Sequence, residues 1–185
     1  MTTSEDKLRQ SRRRRNTGLF LLLLFMISFG TYVLLGGFRE PVLSEVRIPG
    51  YVLAGKEYRG QSNDRELGVL FEQAKDLNAK GQLPGTLAAL YYQTKDANKG
   101  NVHTFAGVIV KDSTAKLPAG FGYRAVPAGR AVRAEILAHF LVAPAPGRVQ
   151  EELAAYARQG GFKPANFVVE KYYGSRNIVL EIPVK

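Results

Sequence analysis

Residues Val168 to Lys185 read VVEKYYGSRNIVLEIPVK. Two runs rich in β-branched and aromatic residues flank Gly174-Ser175-Arg176-Asn177, the pattern of a β-hairpin. With a four-residue loop closed by Tyr173 and Ile178, opposed residues have numbers that add to 351, so Glu170 faces Glu181, Tyr172 faces Val179 and Val168 faces Pro183. Opposed residues in an antiparallel pair share a face, which puts the two carboxylates about 5 Å apart at Cβ. The other face carries Phe167, Val169, Lys171, Tyr173, Ile178, Leu180, Ile182 and Val184 and is nearly all apolar. Two acids this close repel unless one is protonated or a cation lies between them. The pairing depends on loop length, because a one-residue slip sends Glu181 to the opposite face.

The 185-residue chain has length for one ordinary domain and its appendages. It has no Cys, which excludes disulfides, thiolate nucleophiles and zinc-thiolate sites, and it has no Trp. Of its net charge of +10, residues 1–37 contribute Lys7, Arg9 and Arg12 to Arg15 against Glu5 and Asp6. The remainder is mildly basic and leaves no nucleic-acid footprint, so no nucleic-acid partner is expected.

From Thr17 to Phe38 there is no charged side chain and no polar stripe. About twenty apolar residues at 1.5 Å each span a hydrocarbon core of roughly 30 Å, which predicts a transmembrane helix over 17–38. A cleaved signal peptide fits less well, because the apolar region is long and no A-x-A-like site follows it. The basic flank places the N-terminus in the cytoplasm. The expected organisation is a cytoplasmic basic tail (1–16), a single membrane span (17–38), a linker (39–44) and an extracytoplasmic domain (45–185), periplasmic if the chain is bacterial.

Within that domain, Glu45 to Gln61 reads as an extended segment bent at Pro49-Gly50. A helix follows, capped by Asn63 with Glu66 in the capping-box position, presenting Leu67, Leu70, Phe71, Ala74 and Leu77 on one face and stopping at Gly81. Thr86–Thr94 and His103–Val110 read as strands. The order then recurs: an extended segment centred on Pro127, a helix from about Pro144 with Val149, Leu153 and Tyr156 on one face, a stop at Gly160-Gly161, and the closing hairpin. IPGYVLAGKEY (48–58) and VPAGRAVRAEI (126–136) align at an offset of 78. The chain is therefore expected to be α+β, a duplicated β-α-β-β unit forming one antiparallel sheet with both helices on one face and a ligand groove on the other.

This layout, with VVEKYYG and NIVLEIPVK at its end, resembles the GyrI-like small-molecule-binding domain, known from effector-binding domains of multidrug-responsive activators, gyrase-inhibitory proteins and some hydrolases. Tyr91-Tyr92 with Asp96 after them, Phe105-Ala106-Gly107-Val108 and Val126-Pro127-Ala128-Gly129 add to the likeness, which covers about residues 44–185. The resemblance implies that the glutamate of an E-x-Y motif, here Glu170, sits in the ligand groove, with a second acid on the last strand, here Glu181. The absence of Trp departs from the pattern and weakens transfer of an aromatic cage or a hydrolase mechanism. No DNA-binding domain accompanies it.

The candidate ligand-binding residues are thus Glu170, Glu181, Tyr172, Tyr91, Tyr92, Phe105 and Tyr51. A carboxylate beside aromatic rings suits an organic cation. Only one of Tyr91 and Tyr92 can enter the groove, because neighbours on a strand face opposite ways. The competing reading has each acid paired with Lys171, Arg133 or Arg176 on a solvated face, where such pairs contribute about 0–1 kcal/mol. His103 and His139 have no partner at metal-ligand spacing, and no metal or cofactor is expected. With no nucleophile or catalytic motif in view, catalysis lacks support. The expected function is a membrane-anchored small-molecule-binding module for a cationic or amphipathic ligand. The alternatives are a tethered protein-interaction domain with a protein partner, or a GyrI-like hydrolase.

Overall fold

The computed structural model of the protein describes residues 4–93, 100–114, 116–137, 144, 146–174 and 177–185. Helix α1 (Ser4–Leu34) precedes β1 (Val42–Ile48), β2 (Tyr51–Gln61), α2 (Arg65–Ala79), β3 (Thr86–Tyr92) and β4 (Asn101–Val110). The second half follows as β5 (Gly122–Val126), β6 (Gly129–Ile136), α3 (Pro146–Gln159), β7 (Phe167–Tyr173) and β8 (Asn177–Val184). β1 begins inside the stretch expected to be linker. Asp96, His139 and the loop residues Ser175 and Arg176 lie outside the described residues.

The eight strands form one antiparallel sheet in the order β1-β6-β8-β7-β3-β4-β2-β5. Each bent extended segment becomes two strands. β1 pairs with β6 and β2 with β5, and both ladders keep one register: Ile48 opposes Gly129 and Tyr51 opposes Val126. The four strands are therefore one long two-stranded ribbon, bent where Pro49-Gly50 crosses Pro127-Ala128. Gly50 has φ +85°, and a Cβ there would lie 2.9 Å from the Ala128 nitrogen, so the crossing requires a glycine.

The duplication can be traced through the ladders. The offset of 78 carries Lys56 to Ala134. Their partners Ala106 and Leu180 then correspond, and so, one strand further in, do Ala89 and Glu170. Ala89 and Glu170 are themselves partners in the central β3–β7 ladder. The pseudo-twofold axis thus runs through that pair, and Tyr91 and Tyr172 are its mates on either side.

Both helices lie on one face. α2 packs on β4, β3 and β2, burying Leu67, Leu70 and Ala74, while α3 packs on β8 and β6 through Val149, Leu153 and Ala157. β7 lies between the strands that the two helices cover. The cap of α2 is Asp64, one residue after the expected Asn63; its side chain accepts from the Glu66 N–H at 3.0 Å. The opposite, concave face closes on itself: Ile48, Leu53, Ala88, Leu90, Phe105, Val126, Ala131 and Val169 form a buried cluster drawn from strands alone.

The terminal hairpin departs from expectation. β7 and β8 are joined by three residues, Gly174 to Arg176, because Asn177 takes a ladder place opposite Tyr173. Glu170 consequently opposes Leu180, and Glu181 opposes Val169. The shift is one residue, so Glu170 and Glu181 project from opposite faces and do not form a pair.

Candidate functional site

On the helix-bearing face, alternation along β7 places Val168, Glu170 and Tyr172 together, with Ala89 and Tyr91 of β3 beside them. Glu170 is 4% exposed. The Tyr172 hydroxyl contacts both the Glu170 carboxylate and the Tyr91 hydroxyl. Phe71 of α2 meets the Tyr172 ring edge-on at 6.0 Å. Oε2 of Glu170 is buried and has no hydrogen-bond partner. Burial pushes the Glu170 carboxyl up to about 7, against a smaller opposing effect of the Tyr172 hydrogen bond. Burial also raises Tyr91 and Tyr172, and the Glu170 charge adds to both.

Tyr172 lines a cavity of about 300 Å³ that opens between β3 and the end of α2, with Lys75, Asn78, Gly85, Thr86 and Leu87 among its walls. The last turn of α2 contains no basic residue. Its C-cap residue is Lys80, however, and Lys75 lines the cavity, so cationic side chains already stand at the carbonyl end of the helix.

The concave face holds the remaining candidates. Glu181 is fully buried; its Oε2 accepts from the Tyr51 hydroxyl at 2.7 Å. Its Oε1 accepts from Lys171 Nζ at 2.8 Å and from Arg133 at 2.7 Å. Burial, followed by the hydrogen bond to Glu181, holds the Tyr51 hydroxyl well above its ordinary range. Tyr92 stacks on His103 at 4.4 Å, and His103 Nε2 lies 2.8 Å from Glu57 Oε1. Phe105 is 2% exposed beneath the Arg124 guanidinium.

The seven expected ligand residues therefore separate. Glu170, Tyr172 and Tyr91 form one group under the helices, while Glu181, Tyr51, Tyr92 and Phe105 lie on the other side of the sheet. On the uncovered face Glu181 is already matched by Lys171 and Arg133, and a cavity of about 300 Å³ opens beside them, lined by Arg133, Glu135, Lys171, Tyr173, Asn177 and Val179. Lys171 and Arg133 are two of the three cations the competing reading named; Lys171 is buried, and Arg133 is 28% exposed. Phe71 and the α2 end of the cavity were not anticipated, since no local sequence pattern ties α2 to β7. Among the described residues no group of three or more His, Asp or Glu side chains is placed to hold a metal ion.

No protein-family model and no curated protein matches the sequence. Solved structures do. The C-terminal domain of EcmrR matches with a TM-score of 0.59 and 13% identity, over 80% of this chain and 99% of that one. EcmrR in a complex with DNA matches with a TM-score of 0.61 and 15% identity, over 100% of this chain and 73% of that one. SAV2435 bound to tetraphenylphosphonium matches with a TM-score of 0.50 and 15% identity, over 80% and 94%. At these identities the likeness is one of fold.

These matches correct the expectation of a membrane-anchored, single-pass protein with a cytoplasmic tail and an extracytoplasmic domain. That expectation rested on the length and composition of residues 17–38. Residues Asn16–Leu34 do meet such a criterion, with exposed side chains, but length and composition alone are weak evidence for a span, and a signal sequence near an N-terminus meets them as well. The match to EcmrR on DNA takes in the whole of this chain, the N-terminal helix included. The comparisons support the domain fold and lend no support to anchoring, to a membrane partner or to an outward-facing location.

Proposed function

We propose that this chain is a GyrI-like effector-binding domain that takes a small organic cation, or an amphipathic one, at β7, between the strands that α2 and α3 cover. Glu170 is its counter-ion, and the Tyr172 and Tyr91 rings are its walls. The carrying observation is the unpartnered, buried Oε2 of Glu170. An unpaired carboxylate in such surroundings costs several kcal/mol, so it either keeps a proton or acquires a cation. The two states differ by exchange of a proton for a ligand, and a tyrosine ring beside the carboxylate favours a delocalised positive charge. The fold shared with a chain bound to tetraphenylphosphonium supports the same reading.

The reading is binding and not catalysis, since the cluster offers a counter-ion and aromatic walls. Titration of tetraphenylphosphonium and a series of smaller lipophilic cations against the whole chain and its Glu170→Gln variant tests the reading. The variant is expected to bind at least about tenfold more weakly, a loss of about 1.4 kcal/mol or more. Equal affinities would remove Glu170 from the mechanism.

A further inference from the structure

The concave face repeats the recognition chemistry of the helix face, with one addition. Glu181 supplies a fully buried carboxylate and Tyr51 a phenol ring. Into this set, beside the part-exposed Arg133 guanidinium that also reaches Glu181 Oε1, projects the ammonium of Lys171, 2.8 Å from Glu181 Oε1, 3.2 Å from the Tyr51 hydroxyl and 4.6 Å from the Tyr51 ring centroid. Lys171 is itself 4% exposed. A lysine ammonium removed from water this far persists only when carboxylate and ring replace its hydration.

The pseudo-symmetry shows that the fold does not require this cluster. The mates of Lys171, Glu181 and Arg133 in the first repeat are Leu90, Gly107 and Gly55, reached through the same ladder correspondence. The first repeat closes its sheet there with an apolar side chain and two glycines.

We propose that Glu181 and Tyr51 form a second cation site, of the chemistry that takes a primary alkylammonium ion, and that Lys171 is its tethered occupant. Lys171 is then a specificity-determining residue: it closes the concave face to free cations and leaves Glu170 as the counter-ion available to a ligand. The occupied site goes beyond the reading of Glu170; only its consequence for specificity rests on that reading.

Lys171→Ala removes Cγ to Nζ, which are the three carbons and the nitrogen of n-propylammonium. Thermal unfolding of the full chain is followed in n-propylammonium chloride and, as the uncharged counterpart, in n-propanol with sodium chloride. All arms are in a Glu170→Gln background so that the helix-face site contributes nothing. Lys171→Ala is expected to gain about 3–6 °C in Tm at ten times the dissociation constant of the amine. The parent, Lys171→Met, whose side chain fills the space, and the Lys171→Ala/Glu181→Gln double variant are expected to gain nothing. A Lys171→Ala protein indifferent to the amine, or stabilised as much by n-propanol, overturns the proposal. Should Lys171→Ala fail to fold unaided, refolding from denaturant with the amine but not with n-propanol supports it. Failure with both overturns it.

Discussion

Glu170 sits on the molecular axis with an alanine as its symmetry mate, so its carboxyl was placed by sequence divergence on a symmetric scaffold. Its pKa in the folded chain, about 7, is above the ordinary value of 4.5. The folded state therefore holds the Glu170 proton more tightly than the unfolded one does. The stability this contributes is fully present below about pH 4.5 and is lost as the pH rises through 7. At 1.36 kcal/mol per unit the loss amounts to about 3 kcal/mol. Chemical denaturation at pH 5 and pH 8.5 should show that decline in the parent and a flatter profile in Glu170→Gln, which carries no proton to lose. A parent no more pH-sensitive than the variant would show that the burial is not felt. The same titration governs ligand binding. Below pH 7 an entering cation must displace the proton, so affinity for a lipophilic cation should fall by about tenfold per pH unit there and level off above. Isothermal titration in buffers of differing ionisation enthalpy would register the released proton.

At the scale of the element, the strand and helix pattern was legible in the sequence and one register was not. The bend at Pro49-Gly50, both helices, their glycine stops and the offset of 78 all follow from local signals that act over a few residues. The parity of the last hairpin does not, because Gly174-Ser175-Arg176-Asn177 can supply either a three- or a four-residue loop. Asparagine is disfavoured in strands, which draws Asn177 into the loop on propensity; the ladder opposite Tyr173 outweighs that preference. The cap of α2 was misplaced for a similar reason, since Asn63 and Asp64 are both able caps one residue apart. Asp64 accepts from the Glu66 N–H and also from the Tyr58 hydroxyl at 3.1 Å. Asp64→Ala should therefore cost about 1 kcal/mol in equilibrium unfolding, with Asn63→Ala close to neutral. A steeper effect is expected at Gly107, where a Cβ would lie 2.0 Å from the Ala54 carbonyl oxygen of β2. That contact is backbone and cannot rotate away, so Gly107→Ala should lower stability by about 3 kcal/mol. A variant with an unchanged denaturation midpoint would mean that β2 and β4 can separate at that point without loss.

Across the whole molecule, a symmetric scaffold carries asymmetric chemistry. Glu170, Lys171, Glu181 and Arg133 all belong to the second repeat, and their mates Ala89, Leu90, Gly107 and Gly55 carry no charge. The two acids stand on opposite sides of one sheet and should answer mutation in opposite senses. Glu181 accepts from two cations and a tyrosine, so Glu181→Gln strands the buried Lys171, while the part-exposed Arg133 keeps Glu135. Removing one partner of such a group costs about 3–5 kcal/mol. Glu170 has no cation, and Glu170→Gln relieves the chain of an uncompensated charge at pH 8. The expected crossing is thus a Glu181→Gln protein that is much less stable but, at temperatures where it remains folded, binds lipophilic cations with parental affinity. Its counterpart, Glu170→Gln, is more stable at pH 8 and binds weakly. Calorimetric titrations paired with unfolding curves on the two variants separate these effects. A Glu181→Gln protein that is folded yet loses cation binding would move the ligand to the concave face and withdraw Glu170 from its role.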